Sequence, residues 1–139
     1  MSMYKIFDVA GSGLSAQSLR LNTIASNMAN AESVSGSADT AYRARNPVFA
    51  AVFDQFATPA NQATASVMVQ DVVESEAPNM PSYEPNNPLA NEEGYVFRSN
   101  VNIAEEMANM ISASRSYKTN VEVMNTAKQL ILSTLKLGQ

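Results

Sequence analysis

VNIAEEMANMISASRSYKTNVEVMNTAKQLILSTLKL, residues 101–137, contains neither glycine nor proline. Within it Ile103, Met110, Tyr117, Met124 and Ile131 recur every seven residues, with Met107, Val121 and Leu135 on a companion row. Apolar side chains at that interval along one edge predict a single amphipathic helix whose stripe must be buried. Asn102 followed by Glu105 reads as an N-cap with its capping-box partner, Glu105 and Glu106 suit the positive helix end, and Arg115 onward brings cations toward the negative end. Gly138 supplies the stop. A helix from Ile103 to Leu137 would be roughly 50 Å long at ~1.5 Å per residue, more than a compact domain of this mass comfortably holds.

The other end of the chain carries a second helical pattern. From Met3 to about Ala31 there is no proline, and Phe7, Leu14, Leu21 and Met28 form a heptad row with Ala10, Ile24 and Ala31 beside it and Gln17 interrupting the second row. Gly11 and Gly13 each cost roughly 1 kcal/mol against alanine, so a bend or a frayed turn is expected near them. Asn27 and Asn30 close this helix in the run IASNMANAES, residues 24–33. Asparagine is a poor helix former because its amide competes for backbone groups, so each needs a reason. For Asn30 two are open, a partner or a helix stop in the left-handed conformation. For Asn27, inside the helix and next to apolar neighbours, the expectation is a hydrogen bond to a neighbouring helix that fixes register.

Between the two helices the composition changes. SVSGSADT, residues 33–40, is turn and loop, whereas YRARNPVFAAVF and SVMVQDVVES read as strands. Pro59, Pro78, Pro81, Pro85 and Pro88 then punctuate an Asn-rich stretch unsuited to regular helix or central strand. The expected fold is α+β: long N- and C-terminal helices forming a coiled-coil layer, a small β-containing middle and an extended Pro/Asn-rich segment. The corresponding divisions are residues 1–31, 32–100 and 101–139.

Composition narrows the function. The 139 residues include no Cys, His or Trp, which removes thiol and imidazole chemistry and the commonest transition-metal ligands. Neighbouring acids such as Glu92/Glu93 or Glu74/Glu76 have no nucleophile or ligand cluster beside them in the sequence, so no enzyme, cofactor, metal or small-molecule substrate is expected. A net charge of −4 argues against nucleic acid. Charge is also uneven: residues 32–106 carry eleven acids against Arg43, Arg45 and Arg98, while residues 107–139 carry Arg115, Lys118, Lys128 and Lys136 against Glu122 alone. Lys5 and Asp8 interrupt any N-terminal apolar run, so no cleaved signal peptide and no membrane insertion are expected.

Two seamed helices paired with each other would still expose flanks such as Ile111, Val123, Leu130 and Leu132. Terminal helices of this kind gain order from neighbours, and repeated head-to-tail contacts build helical filaments. The competing reading is a secreted coiled-coil adaptor or chaperone that does not polymerise. Flanks of Ala, Ser, Thr and Asn, rather than charge-rich e and g positions, favour close multi-helix packing.

LNTIASNMANAES, residues 21–33, resembles the N-terminal signature shared by bacterial flagellar rod and hook proteins. FDVAGSGLSAQSLRLN, YEPNNPLANEEGYV and the C-terminal run from Ile111 narrow the likeness to the basal-body rod family, and within it to the short proximal-rod subunits. The resemblance implies a structural subunit, exported without a cleaved signal and polymerised in the periplasm into the shaft that transmits motor torque. It further implies an inner helical layer around the export channel. Partners would be the chain itself, other axial rod proteins, and neighbouring ring or export-gate components. The residues expected at the assembly interface are Phe7, Leu14, Leu21, Ile24, Asn27, Met28 and Asn30 on the first helix, and Ile103, Met107, Met110, Tyr117, Val121, Met124, Ile131 and Leu135 on the last.

Overall fold

The computed structural model describes residues 3–53 and 65–137, so Pro59 and the expected stop at Gly138 lie outside the described residues. Helix α1 spans Met3–Ala29, and helix α2 spans Ile103–Leu137. Between them come β1 (Val34–Ser35), β2 (Arg45–Phe53), β3 (Ala65–Glu74), β4 (Met80–Tyr83) and β5 (Tyr95–Arg98). The protein is thus α+β, with long terminal helices around a small β middle.

Helix α1 runs unbroken through both glycines, so the frayed turn expected near them does not occur. Gly13 has a packing reason: a Cβ there would lie 2.8 Å from the Asn120 amide nitrogen, so its absence lets α2 approach. Asn30 ends α1 without a left-handed residue, since no described non-glycine residue has positive φ. Its side-chain amide instead donates to the Ser26 carbonyl at 2.8 Å, satisfying one of the orphan acceptors of the last turn. At the start of α2, Asn102 Oδ1 accepts from the Ala104 N–H at 3.1 Å, giving the expected N-cap.

The strands form two sheets. One is an antiparallel three-stranded sheet in the order β1-β5-β4, and the other is the hairpin β2-β3. Instead of the expected extended segment, the Pro/Asn-rich stretch folds as the β4–β5 hairpin, because its prolines fall where they are tolerated. Pro81 lies in the edge strand β4, and Pro85 and Pro88 lie in the connecting loop. Asn91 organises that loop by accepting from the Tyr95 and Glu93 N–H groups at 2.8 and 3.1 Å. Gly94 takes φ +81° there, the left-handed conformation that side chains disfavour.

In the β2–β3 hairpin, Val48 pairs with Asp71 and Phe49 with Val69, leaving Gln70 as the extra residue of a bulge. A two-stranded hairpin is marginal alone. This one lies along α1, tied at one end by the Arg45 N–H to Asn27 Oδ1 (2.9 Å) and at the other by the Val67 N–H to Ser12 Oγ (3.1 Å).

Candidate assembly interface

Helices α1 and α2 pack antiparallel. Contacts rise along one as they fall along the other: Gly13 meets Asn120, Arg20 donates to Asn109 Oδ1 at 3.2 Å, and Asn27 donates to Glu106 Oε1 at 3.2 Å. On α2 the row Glu106, Ala113, Asn120 and Ala127 turns inward, with all but half-buried Asn120 fully buried. Opposite it on α1 lie Gly13, Arg20 and Asn27, with Ile24 beside Glu106 and Asn109. The intramolecular seam is therefore made largely of small and polar residues. Short side chains let two helix axes approach closely, and the polar groups then find partners across the gap.

Asn27 is the polar centre of this seam. It is 1% exposed, and each polar atom of its amide makes two bonds. Its nitrogen donates to the Arg45 carbonyl at 2.8 Å and to Glu106, while its oxygen accepts from the Tyr42 hydroxyl at 3.0 Å and from the Arg45 N–H. The expected bond to another helix exists, but that helix is α2 of the same chain. The other partners are backbone and Tyr42, so Asn27 is an intramolecular clamp joining α1, α2 and the start of β2. Both ends of the amide are thus satisfied within the chain.

Two more asparagines extend the clamp. Asn100 accepts from the Ala44 N–H at 2.7 Å and donates to the Ala77 carbonyl, while Asn79 donates to the Tyr42 and Arg98 carbonyls, both at 2.9 Å. Glu106, the α2 member of the cluster, is buried with Oε2 lacking any partner. Burial pushes its carboxyl above the usual range. The Asn27 bond opposes that rise, the Glu105 charge adds to it, and Arg20 pulls it down again.

Most of the apolar heptad residues remain accessible. Of the expected interface set, Ile24 is buried in the α1–α2 seam with Asn27, and Phe7, Leu14, Leu21, Met28, Asn30, Met110, Val121, Met124 and Ile131 are half-buried. Ile103, Met107, Tyr117 and Leu135 are exposed, as are Ile111, Val123, Leu130 and Leu132. Among the described residues, the fully buried apolar set is Ala10, Ala16, Ala41, Ala44, Ala113 and Ala127 with only Ile24 and Val96 larger than alanine. The accessible surface, 9733 Å², compares with about 7,000 Å² for a compact monomer of the same mass.

Among the described residues, the grooves that border α2 include two that are open and largely apolar. One, of about 370 Å³, lies between Ile6 of α1 and Val123, Ala127 and Leu130, with Glu122 at its edge. The other, of about 460 Å³, is lined by Met110, Ile111, Ser114, Arg115 and Lys118. Among the described residues no acidic cluster suits a metal ion, and no helix is long and apolar enough to cross a membrane.

The families that match this chain define the class as flagellar rod proteins. Residues 7–36 match the model described as flagella basal body rod protein, and residues 92–137 match flagellar basal body rod FlgEFG protein C-terminal. Relatives named flagellar basal-body rod protein FlgC, from Escherichia coli and Salmonella typhimurium, are each 52% identical over 139 residues, covering 100% of both chains. A Buchnera aphidicola relative of the same name is 40% identical over 141 residues, again covering 100% of both. The chain belongs to the FlgC family of flagellar basal-body rod proteins.

Proposed function

We propose that this chain is a structural subunit of the flagellar proximal rod, polymerising through its terminal helices into the shaft that carries motor torque around the export channel. Its neighbours are further copies and other axial rod proteins, with ring and export-gate components at the ends of the shaft. It works in the periplasm, exported without a cleaved signal. Residues 1–31 and 101–139 form the inner helical unit and residues 32–100 the outer one.

The observation that carries this reading is the distribution of apolar surface. The helix pair closes on alanine, glycine and polar side chains while Met107, Ile111, Leu130 and Leu135 stay in solvent. An exposed, extended array of that kind marks an interaction surface. A non-polymerising adaptor is less favoured, because relatives matching the whole chain are named as rod proteins.

The test is Ile111→Asp combined with Leu130→Asp. Both side chains are at least half exposed, 64% and 54%, so the monomer should keep its helical signal. Cells carrying the variant in place of the native chain should lose motility, and electron microscopy of isolated basal bodies should show incomplete rods. Normal swimming would exclude these faces from assembly.

A further inference from the structure

The β4–β5 hairpin ends in a loop that is both acidic and apolar. Leu89 and Tyr83 are exposed, and Met80 is 73% exposed at the start of β4. Of the nearby carboxylates, Glu84 is already committed, accepting from Arg98 at 2.8 Å and from Asn87 and Ser82. Those bonds hold its carboxyl below the usual range. Glu92 and Glu93 are exposed on the loop, and among the described residues their carboxylates accept no hydrogen bond.

The groove at Met110 and Ile111 has the opposite character. Its apolar floor is flanked by Arg115 and Lys118, both exposed. Neither makes an ion pair among the described residues. The second α2 groove has Glu122 at its edge and would repel an acidic tip. Within one chain neither β4 nor β5 packs against α2.

We infer that the acidic β4–β5 loop of one copy docks into the Met110/Ile111/Arg115/Lys118 groove of a second copy. Two carboxylates, Glu92 and Glu93, face two cations, and Leu89 supplies apolar contact over Met110 and Ile111. Exposed ion pairs contribute little affinity, so the charges select the groove and the register while apolar burial holds the contact. Because loop and groove are different patches, the contact is head-to-tail, and repetition extends a filament. This inference rests on the proposed rod role but specifies one contact within it.

The absence of native cysteine makes the test clean. Glu93→Cys and Lys118→Cys are introduced singly and together, replacing the native chain in flagellated cells, and mild oxidant is applied. The double variant should give a reducible covalent ladder. Co-expressed single variants should stop at the dimer, and either one alone should give no dimer. Motile cells with no cross-link would overturn the docking while leaving the rod role standing. So would a dimer from Glu93→Cys alone, or a cross-link to a chain of different mass.

Charge reversal supplies a second readout. Glu92→Lys with Glu93→Lys, or Arg115→Glu with Lys118→Glu, should each lower the yield from a neighbouring Leu89→Cys and Ser114→Cys pair about tenfold. Combining both reversals should restore it to within about twofold. Failure of the combined variant to recover would refute the pairing.

Discussion

Replacing Asn27 by alanine tests whether the clamp holds the subunit together. The substitution removes four hydrogen bonds, two donated and two accepted, at 2.8 to 3.2 Å. It strands the Arg45 N–H and carbonyl and one oxygen of Glu106, and leaves the Tyr42 hydroxyl only a long contact of 3.4 Å with Ser26 Oγ. At about 1 kcal/mol net per bond the loss approaches 4 kcal/mol, reduced to about 3 where water reaches the opened site. For a chain of this length, with an unfolding entropy of about 0.3 kcal/mol per kelvin, that lowers Tm by about 10 °C. Asn30→Ala is the control, since it removes a single half-buried bond to the Ser26 carbonyl and should cost about 3 °C. Thermal melts of the purified chain followed at 222 nm by circular dichroism measure both. Asn27→Asp should be worse than alanine at neutral pH, because it turns carboxylate oxygen toward Glu106 and the Arg45 carbonyl. Adding Glu106→Gln should recover part of that loss. A shift for Asn27→Ala no larger than that for Asn30→Ala would refute the assignment of Asn27 as the centre of the seam.

Glu106 and Gly94 give further predictions. The folded-state pKa of Glu106 is raised, so its contribution to stability is fully present below the unfolded value and is lost as pH rises through the folded one. The native chain should therefore lose Tm relative to Glu106→Gln as pH climbs from about 4.3 toward neutrality. Parallel Tm profiles over that window would rule out a buried ionisation at this site. At Gly94, a Cβ would meet Tyr83 Cε2 at 3.0 Å and Pro85 Cβ at 3.3 Å on a backbone with positive φ. Gly94→Ala should cost about 1–2 kcal/mol, whereas Gly11→Ala, helical and with open space around it, should gain up to about 1 kcal/mol. Urea denaturation of the two variants reads both signs.

Both helices and the β2 and β3 strands were legible in the sequence, because each rests on periodicity that local chemistry imposes. The terminal runs lacked proline, and Asn102 marked the start of α2. The β4–β5 hairpin was not legible, because proline and asparagine ordinarily break regular structure, whereas in this stretch they organise an edge strand and its loop. Asn91 and Gly94 were the available signal, an Asx-type turn followed by a left-handed glycine at the mouth of β5. The inward face of α2 is carried by residues that a hydrophobic pattern passes over. A search for large apolar residues finds Met107, Val121 and Leu135 as the second row, whereas Glu106, Ala113, Asn120 and Ala127 face α1. Their equal spacing was present in the sequence, and so was the matching row Ile6, Gly13, Arg20 and Asn27 on α1. Small and polar residues at heptad spacing carry little weight on a hydrophobic scale, although close helix approach depends on them.

That division of labour between rows has a physical consequence. Were the large heptad residues buried between α1 and α2, the monomer would be well packed and would have little apolar surface left to attract neighbours. A seam of alanine, glycine and hydrogen-bonded asparagine instead fixes how the two helices sit, since polar partners tolerate one register while apolar stripes accept several. It also stabilises the pair less than a leucine seam would, because alanine buries little area. Under the proposed assembly, the subunit thus sets its internal geometry with Asn27, Asn120 and Glu106 and leaves Met107, Ile111, Leu130 and Leu135 for contacts with other chains. The same chain is then expected to be marginal in solution and rigid in the shaft, gaining most of its apolar burial only when its neighbours arrive.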